Sequence, residues 1–230
     1  MANKRFIPRH SFQTRVTHDT IVFSCVWLMI SGLFIFIPPL AAAVPAGLVQ
    51  FMRITHRIVG SIFILMPIIS AIAAPEGFKE FVAKYFAKWT PEDKEWMKKF
   101  VPYMLAPKKV HMPDQDEVKS GQRVADGMLI IGGTMMGISG AALWIGTTVL
   151  PAGSEILLVM RFVHDLFFLV MVIFVISHFY LGAGVFQPYR GTIKLMFGKG
   201  QVGESDGLYH WGFWTRKEIE EGNVVTRDDG

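Results

Sequence analysis

Four of the seven histidines in this sequence have the positions expected of metal ligands, and these four are His18, His56, His164 and His178. All four fall at or within strongly apolar stretches, where ionisable residues are costly and usually functional. His164 and His178 are 14 residues apart, close to four helical turns, so they lie on nearly one face and about 21 Å apart along the axis. Because imidazole is a common ligand of haem iron, this spacing indicates two haem positions at different depths.

The other two histidines complete two pairs at matched depths. His18 begins the first apolar stretch and is level with His178, whereas His56 begins the second and is level with His164. Two imidazoles from different helices fill both axial positions of a b-type haem, which then carries electrons and does not bind oxygen. The sequence therefore predicts two haem b groups, one held by His18 and His178 and one by His56 and His164.

An arginine stands three residues before three of these histidines; the three are Arg15, Arg53 and Arg161. Residues three apart share a helix face, and each arginine is displaced toward the nearer membrane surface. A haem bound there would turn its propionates toward that surface and meet the guanidinium. We expect these arginines to contact haem propionates; the alternative for any one of them is ordinary interfacial snorkelling.

Four long apolar stretches must position these side chains, at about 20–40, 54–74, 124–150 and 156–185. About 20 residues of helix cross the ~30 Å hydrocarbon core of a bilayer. A helix also satisfies its own backbone hydrogen bonds in lipid. The sequence thus predicts an all-α fold, an integral membrane four-helix bundle forming one membrane cytochrome b domain over residues 1–230.

Composition narrows the class of protein further. Hydrophobic residues make up 51% of the chain and charged residues 18%, which excludes a disordered chain and a nucleic-acid-binding protein. The one cysteine, Cys25, excludes a disulfide framework, a covalently attached c-type haem and a cysteine-ligated iron–sulfur cluster within this chain. We recognise no internal sequence repeat.

The basic residues indicate the orientation. Twenty of the 23 Lys and Arg residues lie in the N-terminal segment, the connection at 75–123 and the tail at 187–230. The positive-inside rule then places these segments, and both termini, in the cytoplasm. We expect a multi-pass protein of the bacterial inner membrane.

The cytoplasmic connection is expected to contain an interfacial amphipathic helix. Its apolar residues recur at helical spacing with lysines between them; they are Phe78, Phe81, Val82, Tyr85, Phe86 and Trp89. A solvated helix packed on a partner is the alternative. The segment Thr90-Pro91-Glu92-Asp93 predicts the cap and first turn of a further helix.

With these features in place, the sequence resembles the cytochrome b (gamma) subunit of membrane-bound formate dehydrogenase over nearly its whole length. The resemblance rests on the four helices and on the segments Arg15-Val16-Thr17-His18, Arg53-Ile54-Thr55-His56-Arg57 and Arg161-Phe162-Val163-His164 with His178. A further match is Ser120-Gly121-Gln122-Arg123 at the start of the third membrane helix, where that family has a Gly-Gln-Lys-like motif.

The resemblance implies the same two haem pairs, with the inner haem held by His18 and His178 and the outer by His56 and His164. It also implies a quinone site beside the inner haem, with Gly121 and Gln122 in contact with menaquinone or ubiquinone. The sequence differs from the family pattern in two features. Lys119 stands where the family commonly has an Asn, and the tail from 203 to 230 is unlike the tail of the family. The resemblance also implies an iron–sulfur (beta) subunit and a molybdenum or tungsten catalytic (alpha) subunit as partners, besides membrane lipid.

Our hypothesis is that electrons enter from the iron–sulfur subunit on the outer face and leave to a quinone reduced near the cytoplasm. Quinone reduction is then the only chemistry on this chain, an electron-transfer subunit of an oxidoreductase. Asp19 and Asp126 could relay protons, although a carboxylate at a helix start is also favoured by the helix dipole. Four alternatives remain: the cytochrome b subunit of a nickel–iron hydrogenase, that of a thiosulfate reductase, a ferric-reductase-like cytochrome, and a haem-free anchor or transporter.

Overall fold

The structure is a computed structural model that describes residues 4–182, 184 and 189–227. In chain order the elements are β1 (Lys4–Pro8), α1 (Phe12–Phe36), α2 (Pro38–Ala42), α3 (Ala46–Ala73), α4 (Pro75–Tyr85), α5 (Pro91–Leu105), α6 (Ser120–Val149), α7 (Glu155–Gly182), α8 (Lys194–Phe197), β2 (Gln201–Gly203), α9 (Glu204–His210), α10 (Gly212–Glu220) and β3 (Val225–Arg227). The chain divides into two compact units. The helix unit comprises Val16–Ala74 and Met128–Phe179, and the sheet unit comprises the described residues of Met1–Arg15, Pro75–Gly127 and Tyr180–Gly230.

Four helices are long and apolar enough to cross a membrane, namely α1, α3, α6 and α7. This confirms the prediction of a multi-pass helical membrane protein. The expected fourth stretch ran to residue 185, and residues 183 and 185 lie outside the described part, as do 187–188 and 228–230 of the expected tail.

The first long helix begins earlier than the apolar pattern indicated. It starts at Phe12, and the N–H of Thr14 donates to Oγ of Ser11 at 3.1 Å, which caps the helix. Its first two turns are polar, so a hydropathy pattern does not detect them. His18 consequently lies within α1, not at its beginning.

Glycines of α6 bring neighbouring helices close within the helix unit. A Cβ on Gly132 would lie 2.7 Å from Sδ of Met171 on α7, and one on Gly137 would lie 3.1 Å from Ile64 on α3. Small residues at such positions allow helix backbones to approach in a membrane. These glycines therefore serve close packing.

The sheet unit contains a small antiparallel sheet of order β2-β1-β3, which the all-α prediction missed. Its strands are three to five residues long and come from opposite ends of the sequence, so no local alternation announced them. A small hydrophobic core belongs to this unit; it comprises Ile7, Leu195, Val202, Trp211 and Trp214.

The connection between the second and third membrane helices is largely helical. Thr90 forms a complete capping box: its side chain accepts from the N–H of Asp93, and the Asp93 carboxylate accepts from the N–H of Thr90. The predicted cap is thus confirmed. Helix α4 forms where an amphipathic helix was expected, with Phe78 and Phe81 exposed on it. Its placement at the membrane interface stays a prediction, as does the cytoplasmic location of both termini.

Candidate functional site

The four singled-out histidines form two pairs within the helix unit. The ring centres of His18 and His178 are 6.3 Å apart, and those of His56 and His164 are 6.4 Å apart. A metal–imidazole bond is about 2 Å long and a ring centre lies about 1 Å beyond its nitrogen, so imidazoles on opposite sides of one iron have centres roughly 6 Å apart. Both pairs have the spacing that a bis-imidazole haem requires.

A buried serine orients His56. The Oγ of Ser31 donates to the carbonyl of Trp27 at 2.7 Å and lies 2.9 Å from Nδ1 of His56. Because the one hydroxyl proton is committed to the carbonyl, the serine oxygen must accept from the imidazole. Nδ1 therefore carries the proton, and Nε2 keeps its lone pair for a metal.

His164 has the same arrangement on the other two membrane helices. The Oγ of Ser139 donates to the carbonyl of Met135 at 2.6 Å and lies 3.0 Å from Nδ1 of His164. Both Ser31 and Ser139 are fully buried. The two imidazoles of this pair are thus fixed in the same tautomer by matched contacts, which the sequence analysis missed.

Glycines next to these serines make room for the imidazoles. A Cβ on Gly32 would lie 3.5 Å from Cε1 of His56, and one on Gly140 would lie 3.2 Å from Cε1 of His164. The second distance is tighter than ordinary van der Waals contact. A Ser-Gly dipeptide on one helix therefore holds the histidine of the next helix in each half.

These matched contacts reveal an internal repeat, so the expectation of none was wrong. Four residues of the first half recur 108 positions later: Ser31 and Ser139, Gly32 and Gly140, Arg53 and Arg161, His56 and His164. The repeat extends to Arg15-Val16 and Arg123-Val124, but Asp126 then occupies the position equivalent to His18. The signal was present as one fixed offset, yet few residues outside the site share it.

At the other pair a carboxylate takes the place of the serine. Nδ1 of His18 lies 3.3 Å from Oδ1 of Asp19, and both side chains are about three-quarters buried. Carboxylates commonly orient metal-binding imidazoles in this way. Asp19, considered above as a proton relay, therefore contacts a candidate ligand directly.

The three arginines have different surroundings. The guanidinium of Arg15 donates to the carbonyl of Gly198, while its Nε is buried and has no hydrogen-bond partner among the described residues. Arg53 and Arg161 are exposed and make no hydrogen bond or ion pair within the described part of the chain. Unsatisfied guanidinium donors fit propionate groups, and the role of all three stays a prediction.

The Gly-Gln motif forms the first turn of α6 in the sheet unit. A Cβ on Gly121 would overlap the ring of Trp96, so the indole of this chain covers that face of the glycine. Nε2 of Gln122 donates to Oδ2 of Asp126 at 3.1 Å, and the hydroxyl of Tyr85 donates to the same oxygen at 2.5 Å. Burial, followed by the Asp126 carboxylate, raises the pKa of Tyr85, which keeps the phenol protonated. The motif is therefore part of a polar cluster whose amide has a fixed orientation.

Comparison with known proteins identifies the family of this chain. A protein-family model described as Prokaryotic cytochrome b561 matches residues 9–199, which include all four helices and all four paired histidines. No curated protein matches the chain significantly. The family match covers well over half of the sequence, and the paired imidazoles and orphaned arginine donors suit b-type haem. The chain belongs to the prokaryotic cytochrome b561 family, and it is a membrane protein that transfers electrons by means of haem b.

Proposed function

We propose that this chain is the di-haem membrane subunit of a formate dehydrogenase-like complex, which passes electrons from a periplasmic iron–sulfur subunit to a quinone reduced near the cytoplasm. The observation that carries the proposal is the presence of two imidazole pairs, 6.3 and 6.4 Å between ring centres. Each pair would hold one haem, so the chain would bind two haems.

The residues around each pair suit electron transfer. A haem with two imidazole ligands supplies reversible one-electron chemistry and leaves no open coordination site. Ser31 and Ser139 hydrogen-bond Nδ1 of His56 and His164, which leaves Nε2 of each ring for iron. Asp19 contacts Nδ1 of His18 in the same way. Arg15, Arg53 and Arg161 would neutralise propionates. Fixed ligands reduce structural change between the two oxidation states.

A quinone site at the start of α6 completes the proposal. The side-chain amide of Gln122 donates to Asp126 and also hydrogen-bonds Tyr85, which leaves its carbonyl oxygen to accept from a hydroxyl of the quinol. The Trp96 ring occupies the space beside the Cα of Gly121, so this glycine would allow the close packing of the indole and would not itself provide room for the quinone. The quinone contact rests on the resemblance of this motif.

The test of haem binding is a dithionite-reduced minus oxidised spectrum of the purified chain with a pyridine haemochrome count. We expect two b haems per chain. His164→Ala and His178→Ala should each lose one haem, because they belong to different pairs, whereas His111→Ala, on an exposed position, should lose none. An unchanged haem count in both ligand variants would contradict the assignment.

The partner is identified by what purifies with the chain. Molybdenum or tungsten together with iron–sulfur clusters, and formate-dependent haem reduction, would support the formate dehydrogenase-like assignment. Nickel and hydrogen-dependent reduction would instead support a hydrogenase cytochrome, and reduction by thiosulfate-linked subunits a thiosulfate reductase. A haem-free anchor or transporter disagrees with membership of this cytochrome family.

A further inference from the structure

The sheet unit contains a buried lysine that the electron-transfer function does not explain. Lys119 is only 7% exposed, and among the described residues no carboxylate lies within ion-pair distance of its Nζ. Lysine is almost never buried so deeply without a negative partner, because desolvation penalises the charged form. A buried, unpaired lysine therefore requires a reason.

Aromatic rings and one histidine surround the ammonium group. Nζ of Lys119 lies 4.6 Å from the ring centre of Tyr189 and 4.8 Å from that of Trp211, within cation–π range. It also lies 3.2 Å from Nδ1 of His210. Among the residues that the structure describes, the amine thus has a hydrogen-bond partner that can itself accept and release a proton.

His210 is held firmly in that position. Its ring stacks on Tyr189, with centres 5.1 Å apart, and is flanked by Tyr209 and Trp211. It is the last residue of α9 and is half-buried. His210 therefore contacts the buried amine on one side and retains partial exposure to solvent.

The charges around Lys119 favour release of its proton. Within the described part of the chain, the titratable groups that face Nζ are the Arg9 guanidinium, the Tyr189 phenol and the His210 imidazole. Burial, followed by repulsion from Arg9, lowers the pKa of Lys119 to about 7. Burial raises the pKa of Tyr189 to about 12, so the phenol supplies no compensating negative charge at neutral pH.

Lys119 also lies next to the quinone motif. The N–H of Arg123 donates to the carbonyl of Lys119 at 2.8 Å, so Lys119 begins the first turn of α6. Gln122 is three residues farther on, within the same first turn. The two departures from the formate dehydrogenase pattern, Lys119 and the tail that contains His210, meet in this contact.

We propose that Lys119 donates protons to the quinone bound at Gln122 and that His210 returns them to Lys119 from the aqueous phase. This inference rests on the proposed quinone-reducing function. A quinone takes up two electrons, supplied by the electron-transfer chain, and two protons, and becomes a quinol. For each proton an N–H bond of the ammonium breaks and an O–H bond forms on the quinone. The neutral amine is then reprotonated through His210: the half-exposed imidazole takes up a proton from a hydronium ion, and the resulting imidazolium gives its Nδ1 proton to the amine. The ring returns to its neutral Nε2–H form, and the second proton follows the same course.

The test follows oxidation of the haem by quinone in the full, haem-loaded chain. The chain is reduced with stoichiometric dithionite and mixed rapidly with menadione or decylubiquinone, while haem absorbance is recorded. Lys119→Met removes the ammonium group that would donate the proton. Lys119→Arg keeps a positive charge beside Tyr189 and Trp211, but a guanidinium does not release its proton. We expect both to slow haem oxidation by about 10²-fold, a usual contribution of a general acid. The exposed Lys108→Met, in the same connection, should leave the rate unchanged.

Two further readouts separate a proton donor from a structural lysine. The wild-type rate should fall as the pH rises through about 7, where the ammonium is lost, and Lys119→Arg should not show this step. His210→Ala should also be slow and should recover when imidazole is added, whereas His111→Ala should do neither. If Lys119→Met does not retain haem, the rate and pH profile of Lys119→Arg and the imidazole rescue of His210→Ala decide between the two roles.

The outcomes are distinguishable. Rapid oxidation of wild type matched by both Lys119 variants would overturn the proton donor alone and leave the quinone function in place. Wild-type haem that neither quinone oxidises would overturn the proposed function and the donor together.

Discussion

At the scale of single residues, Ser31 and Ser139 determine the electronic character of the two imidazoles that they hold. An acceptor on Nδ1–H makes an imidazole a stronger electron donor to a metal and stabilises the oxidised state. The candidate site is therefore defined by hydroxyl groups as well as by its histidines.

Ser31→Ala or Ser139→Ala should raise the midpoint potential of one haem. Loss of a buried hydrogen bond of about 1 kcal/mol corresponds to roughly 40 mV for one electron. Spectroscopic redox titration measures the shift. Ser177→Ala is the matched control, because Ser177 donates to the carbonyl of Ile173 at 2.9 Å on an exposed helix face. Equal potentials in the serine variants and wild type would show that the hydroxyls do not act on the haem.

Gly121 offers a second test at this scale. Gly121→Ala forces a Cβ into the Trp96 ring, and overpacking of this kind costs about 1–3 kcal/mol. The Tm of the solubilised protein should fall, and Trp96→Leu in the same chain should restore part of it. Gly127→Ala, six residues farther along α6 with open space at its Cβ, should have little effect. A Tm that Gly121→Ala leaves unchanged would mean that Trp96 moves aside easily.

At the scale of elements, side chains at the ends of helices set boundaries that apolar periodicity cannot show. Ser11 begins α1 two turns before the hydropathy signal, and Thr90 begins α5 with a complete capping box. The second boundary was predictable because its Thr-Pro-Glu-Asp pattern is local. The first was missed because its polar turns resemble a loop in composition.

Thr90→Ala should destabilise the start of α5 by about 1 kcal/mol, the usual value of such a cap. Amide hydrogen exchange in the first turn of α5 should become faster, while exchange in the membrane helices should not change. Thr90→Ser keeps an accepting oxygen and should behave like wild type. Exchange that is equally slow in all three proteins would mean that packing alone holds this turn.

At the scale of the whole molecule, the sequence predicted four membrane helices and the two histidine pairs, since long apolar runs and helical spacing are local properties. It did not predict the three-stranded sheet or the contact of Lys119 with His210, because these join residues about 90 or more positions apart. The serine contacts of the pair His56 and His164 were missed for a related reason. Ser31 and Ser139 look like ordinary small residues until the histidine of the next helix is placed beside them.

The orientation in the membrane is testable on the whole chain. In a Cys25→Ser background, single cysteines at Lys98 and at Gly153 should react with a membrane-impermeant maleimide from opposite sides of the membrane. The positive-inside rule predicts that Lys98→Cys is labelled only after the cells are opened and Gly153→Cys in intact spheroplasts. The reverse pattern would invert the topology and move the proposed quinone site to the outer surface.

The fixed offset of 108 residues is the pattern expected of a duplicated helical hairpin. The hairpin of α1 and α3 contains Ser31 and His56, and the hairpin of α6 and α7 contains the equivalent Ser139 and His164. Two identical copies of a short ancestral hairpin would already have supplied all four groups, as a symmetric dimer with one haem. The other pair breaks this symmetry, because the counterparts of His18 and His178 are Asp126 and Ser70. A single chain with two linked hairpins, unlike a dimer of identical ones, can place different side chains at these equivalent positions.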